Sequence, residues 1–169
     1  MFTVPVIIGN LCTLLAVTAN SVSATRKTKK EMLGFQNISQ LSYCASAIAL
    51  RGYSAAVQNV VSICRNIVAV QNVKNKILEW ILIILGVALG IVFNNRGIVG
   101  LLPVIGTLQY TLTIFYVQKN ERLLKLSFLI STAIFVVFNA FIYNFVGVAA
   151  DATVFVTTVI ALVKDKPQK

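Results

Sequence analysis

Histidine is absent from this chain, and only five of its 169 residues are acidic. Without histidine, the commonest acid–base group and transition-metal ligand is missing. The five acids are Glu31, Glu79, Glu121, Asp151 and Asp165, too dispersed to form an acid pair along the sequence. No serine or cysteine stands beside a general base, so covalent catalysis has no evident nucleophile. A glycine-rich ATP-binding loop is also missing. The three cysteines, Cys12, Cys44 and Cys64, sit in apolar surroundings without metal-ligand spacing. They read as small hydrophobes. These absences argue against an enzyme and give no cofactor and no metal site. Charged residues make up 12% of the chain, half the usual share for a soluble domain.

What is present is apolar and basic. The chain is 57% hydrophobic, with a mean hydropathy of +0.83. Apolar stretches long enough to cross a bilayer recur along its length. Punctuation by charge and turn residues predicts seven helices, near 2–23, 33–50, 53–73, 77–93, 98–117, 123–142 and 145–163. The expected fold is therefore an all-α membrane protein with seven transmembrane helices, and its first partner is the lipid bilayer. The first stretch resembles a secretory signal at SVSA but lacks a basic leader, so it is retained as a helix.

The net charge of +10 falls between the apolar stretches rather than on one soluble face, which argues against nucleic acid as a partner. With the N-terminus outside, 12 basic residues lie on the inner side, among them Arg26, Lys74, Lys119 and Lys164, and two, Arg51 and Arg96, lie outside. That asymmetry predicts an external N-terminus and a cytoplasmic C-terminus.

Two proline-containing runs, TVPVIIGN at 3–10 and LLPVIGTL at 101–108, stand at corresponding places in the two halves. Each is followed by a basic loop, a second helix, a very short turn and a third helix. The expected organisation is a three-helix bundle over 1–74, a linker helix over 75–97, and a second bundle with a basic tail over 98–169. A single linker helix makes the repeats parallel, one of the common transporter designs. Pro5 and Pro103 are then candidate hinges, since proline removes a helical hydrogen bond. Gly86 and Gly90 are four apart on the linker, a close-packing face for its own bundle or for a homodimer.

Polar residues interrupt the other helices, and polar faces turn away from lipid. The carboxamides and the one acid placed well within a helix exceed what interhelical packing requires, which predicts a hydrated cavity. Aligning the third helices without gaps sets Asn59 against Asp151. These two, with Asn139, Gln40, Gln58 and Tyr110, are the candidate substrate-binding residues. Arg65 is the one base within a span, either in the cavity or reaching back to the interface.

The stretches GLLPVIGT at 100–107, NVVSICR at 59–65 and FNAFI around Asn139 resemble the YgjV-type bacterial inner-membrane proteins. This resemblance covers nearly the whole chain and implies a bacterial inner-membrane location. The 3+1+3 plan is also similar to the SWEET, PQ-loop and PnuC-like transporters. In the SWEET proteins an asparagine on each third helix faces the substrate, which implies that role for Asn59 and Asp151. The sequence departs from those families in lacking an intramembrane Pro-Gln pair and a tryptophan near the polar pair. The function expected is alternating-access transport of a small polar solute, such as a sugar, vitamin or nucleoside-like metabolite. The alternative is a non-transporting receptor or assembly protein on the same scaffold.

Overall fold

The computed structural model describes residues 3–24, 29–70, 75–116 and 121–164. Within them lie seven helices: α1 (Val4–Ala24), α2 (Lys29–Ala49), α3 (Tyr53–Val70), α4 (Lys76–Val92), α5 (Gly97–Tyr116), α6 (Glu121–Phe141) and α7 (Phe145–Lys164). Each coincides with a predicted segment. The second and sixth begin earlier than expected, because the charged residues before the apolar stretch continue the helix rather than end it. The basic positions Arg26, Lys27, Lys74, Lys119, Lys166 and Lys169 lie outside the described residues.

The two prolines differ in setting. Pro5 is in the first turn of α1, where a missing N–H is one that the helix leaves unpaired anyway. Pro103 lies inside α5 and is fully buried. Pro103 therefore removes a hydrogen bond from within its helix, whereas Pro5 removes none.

Burial is reversed relative to a water-soluble protein. Among the described residues, thirteen buried ones are polar, all serine, threonine, asparagine or glutamine, against nine buried hydrophobics, four of them alanine. Large apolar side chains such as Leu15, Leu41, Ile84, Val92, Ile98 and Phe141 face outward. Water would penalise an apolar patch of this extent; hydrocarbon does not. By length and composition, Val4–Val22 of α1 is the one stretch among the described residues that meets the criterion for crossing a membrane; shorter apolar segments lie in α5, α6 and α7.

Helices neighbour one another in the order α1, α2, α3, α5, α6, α7, and α7 returns to α1. Six helices thus close a ring, and α4 packs outside it against α3 and α5. The neighbour pattern repeats: α1–α2–α3 matches α5–α6–α7, and the contact of α3 with α5 matches that of α7 with α1.

The turns repeat too. Arg51 and Tyr143 both adopt left-handed φ, 56° and 60°. After them, Gly52 N–H donates to Ala47 O (2.7 Å) and Asn144 N–H to Asn139 O (2.9 Å). This is the Schellman closure of a helix end. Gly52 is small for a packing reason: a Cβ there would stand 3.0 Å from Phe138 Cζ. The two turns bring their helices together around an apolar cluster of Ala47, Leu50, Ala55, Ala56, Phe138 and Ile142, drawn from both halves.

On α4, Gly86 and Gly90 are buried against the protein's own helices. A Cβ on Gly90 would meet Gln58 Nε2 and Val104 Cγ2, both at 2.6 Å, and one on Gly86 would meet Val61 at 3.4 Å. The glycine face is filled by α3 and α5 of the same chain.

Candidate functional site

A cavity of about 520 Å³ runs through the ring and takes lining residues from α1, α2, α3, α5, α6 and α7. Asn59, Asp151, Asn139, Gln40 and Tyr110 all line it. Gln58 does not. One residue along a helix is a turn of about 100°, and that step points Gln58 out of the ring. Its Nε2 donates to Gly86 O at 2.8 Å, so it fastens α4 to α3.

Asn59 and Asp151 are each the seventh residue of their helices, α3 and α7. Both helices start from equivalent turns, so the two side chains enter from opposite halves at similar depth. The polar pair read from the repeat is thereby brought together in one space.

Asp151 is held by a directed chain of amides. Gly147 N–H donates to Asn144 Oδ1 (3.1 Å), and Asn144 Nδ2 donates to Asn139 Oδ1 (3.0 Å). Asn139 Nδ2 then donates to Asp151 Oδ2 at 2.8 Å. Each amide hands its N–H to the next acceptor, and successive bonds polarise one another toward the carboxyl. A bond of this kind to a carboxylate is stronger than one between neutral groups. Tyr43, across the cavity on α2, lies within reach of the Asp151 charge.

Six residues beyond Asn59, Arg65 also lines the cavity, with Nη1 donating to Thr111 Oγ1 on α5 at 3.3 Å. Tyr110 is its electrostatic neighbour. Arg65 also borders a small space of about 20 Å³ between α3, α4 and α5.

Aromatic walls complete the site: Tyr43, Tyr110, Phe128, Phe135 and Phe138. Tyr110 and Phe128 form a tilted pair with ring centroids 5.5 Å apart. Flat apolar surface for a ring or chain is thus present without tryptophan. Cys12, Cys44 and Cys64 are free thiols, and no cluster of metal-ligating groups occurs among the described residues.

Sequence reasoning missed Asn144, which falls between the predicted segments 123–142 and 145–163. The signal was there: Asn144 aligns with Gly52 just after the turn, and a carboxamide in place of glycine asks for a partner. Asn10 was also missed. It is a carboxamide in the apolar first half of α1, and it bonds the α6–α7 turn twice, donating to Tyr143 O (3.1 Å) and accepting from Val146 N–H (2.9 Å). Asn95 does the same for the α2–α3 turn, donating to Arg51 O (2.8 Å) and accepting from Tyr53 N–H (3.4 Å). Arg96 adds bonds to Arg51 O and Leu50 O. Each turn is therefore clasped by a residue from outside its own three-helix unit.

The sequence matches the family described as Imp-YgjV, bacterial inner membrane protein, over residues 7–169. No curated protein and no solved structure matches it. The chain belongs to the Imp-YgjV family and is a bacterial inner membrane protein.

Proposed function

We propose that this family member is a carrier, a facilitator or secondary transporter that moves a small polar solute by alternating access between two three-helix units. The observation that carries the reading is the polar cavity at the junction of the two halves, to which all six ring helices contribute. A packing core has no use for 520 Å³ of space walled by asparagine, aspartate, arginine and tyrosine. Buried polar groups are retained when something hydrates or binds them.

In this reading all seven helices cross the membrane, with α4 as the linker of a 3+1+3 plan. The basic asymmetry sets the N-terminus and the α2–α3 and α6–α7 turns outside, and the C-terminus inside. The apolar cluster and the asparagine clasps then lie toward the outer, turn end, and Ala47, Ala55, Phe138 and Ile142 of that cluster form part of the cavity wall. The cavity reaches Asn20 and Ser21, exposed residues near the far end of α1. In this reading the cavity's reach toward Asn20 and Ser21 makes it an inward-facing state of the proposed cycle.

The test is solute flux into proteoliposomes containing the purified chain alone. Saturable flux that falls in Asn59→Ala and Asp151→Asn supports the carrier. Specific solute binding without flux would replace it with a receptor on the same scaffold.

A further inference from the structure

We infer that the cavity takes a solute bearing opposite charges at its two ends: a cationic group at Asp151 and an anionic group, carboxylate or phosphate, at Arg65. The inference rests on the cavity being a ligand site, as proposed above, and narrows the class of ligand.

Three observations support it. First, the two charged side chains line one cavity but come from different halves, Arg65 on α3 and Asp151 on α7. Second, each is tethered to a neutral partner on a further helix. Asn139 on α6 bonds Asp151, and Thr111 on α5 accepts from Arg65. The tethers draw the charges toward different walls, and no ion pair joins either to another group among the described residues. Third, the poles are offset along the cavity. Asp151 sits at the depth of Asn59, and Arg65 is six residues further along α3, an axial separation of about 9 Å at 1.5 Å per residue. Side-chain reach shortens the span that a ligand must bridge.

Two unpaired opposite charges within the span of the helices are costly separately. A neutral sugar would leave both without a counter-charge. A simple cation or anion would neutralise one and leave the other. A ligand with both poles neutralises each in place, and its middle would lie against neutral groups: Asn59, Tyr110 and the phenylalanine walls. The amide chain ending on Asp151 delivers an N–H to one carboxyl oxygen, leaving the remaining acceptor capacity for a ligand donor.

The experiment is calorimetric titration of the chain in lipid nanodiscs, with empty nanodiscs as control. The probes are glycine, 4-aminobutyrate, 6-aminohexanoate, butylamine, butyrate and glucose. At least one amino acid is expected to bind tenfold or more tightly than butylamine or butyrate, with the best chain length reporting the spacing of the poles. Asp151→Asn should bring that amino acid down to the level of butyrate, and Arg65→Gln to the level of butylamine. Glucose binding as well as the best amino acid would overturn the inference, as would butylamine or butyrate matching it. Failure of every amino acid to bind the parent chain would also overturn it. These comparisons on the parent do not depend on any variant folding. Failure of the carrier reading is separate: two-pole binding without flux leaves the ligand class standing, and glucose flux without amino-acid binding leaves the carrier standing.

Discussion

Gln58 and Asn59 are adjacent in sequence and opposite in role. Gln58 is buried and bonds Gly86 O; Asn59 faces the cavity. Gln58→Ala should therefore cost stability, about 1 kcal/mol for a lost buried hydrogen bond. Asn59→Ala should cost less stability and weaken ligand binding. Thermal unfolding in detergent beside nanodisc titration separates the two effects, and equal stability losses would argue against the assignment. Gly90→Ala tests the same contact from the other helix. The added Cβ would press on Gln58 and Val104, so a loss of about 1–3 kcal/mol is expected. The polarity of these positions was legible in the sequence, and the repeat alignment of Asn59 with Asp151 located the pair. Helix rotation was not legible at single-residue precision, because polar residues on successive positions leave the inward face ambiguous. That ambiguity put Gln58 in the site and left Arg65 between the cavity and the interface.

Helix number was legible because each apolar stretch is bounded by charge or a tight turn, while the starts of α2 and α6 were not, because their charged residues continue the helix. What sequence could not supply was the contact between α7 and α1, which no local pattern encodes, or the asparagines that clasp the turns across the halves. The clasps make a prediction at the element scale. Asn10→Ala or Asn95→Ala removes both a donor and an acceptor from a turn. A loss of about 1 kcal/mol shifts a two-state population about fivefold. Spin labels at Ile48→Cys and Ala140→Cys, near the turns on α2 and α6, would report a longer-distance population grown by that factor. An unchanged distance distribution would make the clasps local turn caps only. Pro103 belongs to this scale as well. Pro103→Ala restores an N–H inside α5, where it can bond the preceding turn and stiffen the helix. Flux should slow, and more so than in Pro5→Ala, whose proline already sits where no bond is lost.

At the scale of the whole molecule, apolar outside and polar inside is the arrangement that a lipid solvent selects, and the ring encloses a cavity lined by both polar and aromatic side chains. The carrier reading expects one end of the ring to be shut and the other, toward Asn20 and Ser21, to be open, a sidedness that solvent accessibility can read. With the native Cys12, Cys44 and Cys64 replaced, single cysteines at Arg51, Asn20 and Asn59 sample the turn face, the far end of α1 and the mid-cavity. An impermeant maleimide applied to intact spheroplasts should label Arg51→Cys and spare Asn20→Cys; inverted vesicles should give the reverse. Asn59→Cys should react from the inverted side alone in the resting protein, because the apolar cluster of Leu50, Phe138 and Ile142 lies between it and the turns. Adding a solute that drives the cycle should slow that labelling and open a route from the other side. Labelling of Arg51→Cys only in inverted vesicles would reverse the orientation while sparing the cavity. Equal labelling of Asn59→Cys from both sides, with and without solute, would describe a pore rather than a carrier, since alternating access requires that one end be shut whenever the other is open.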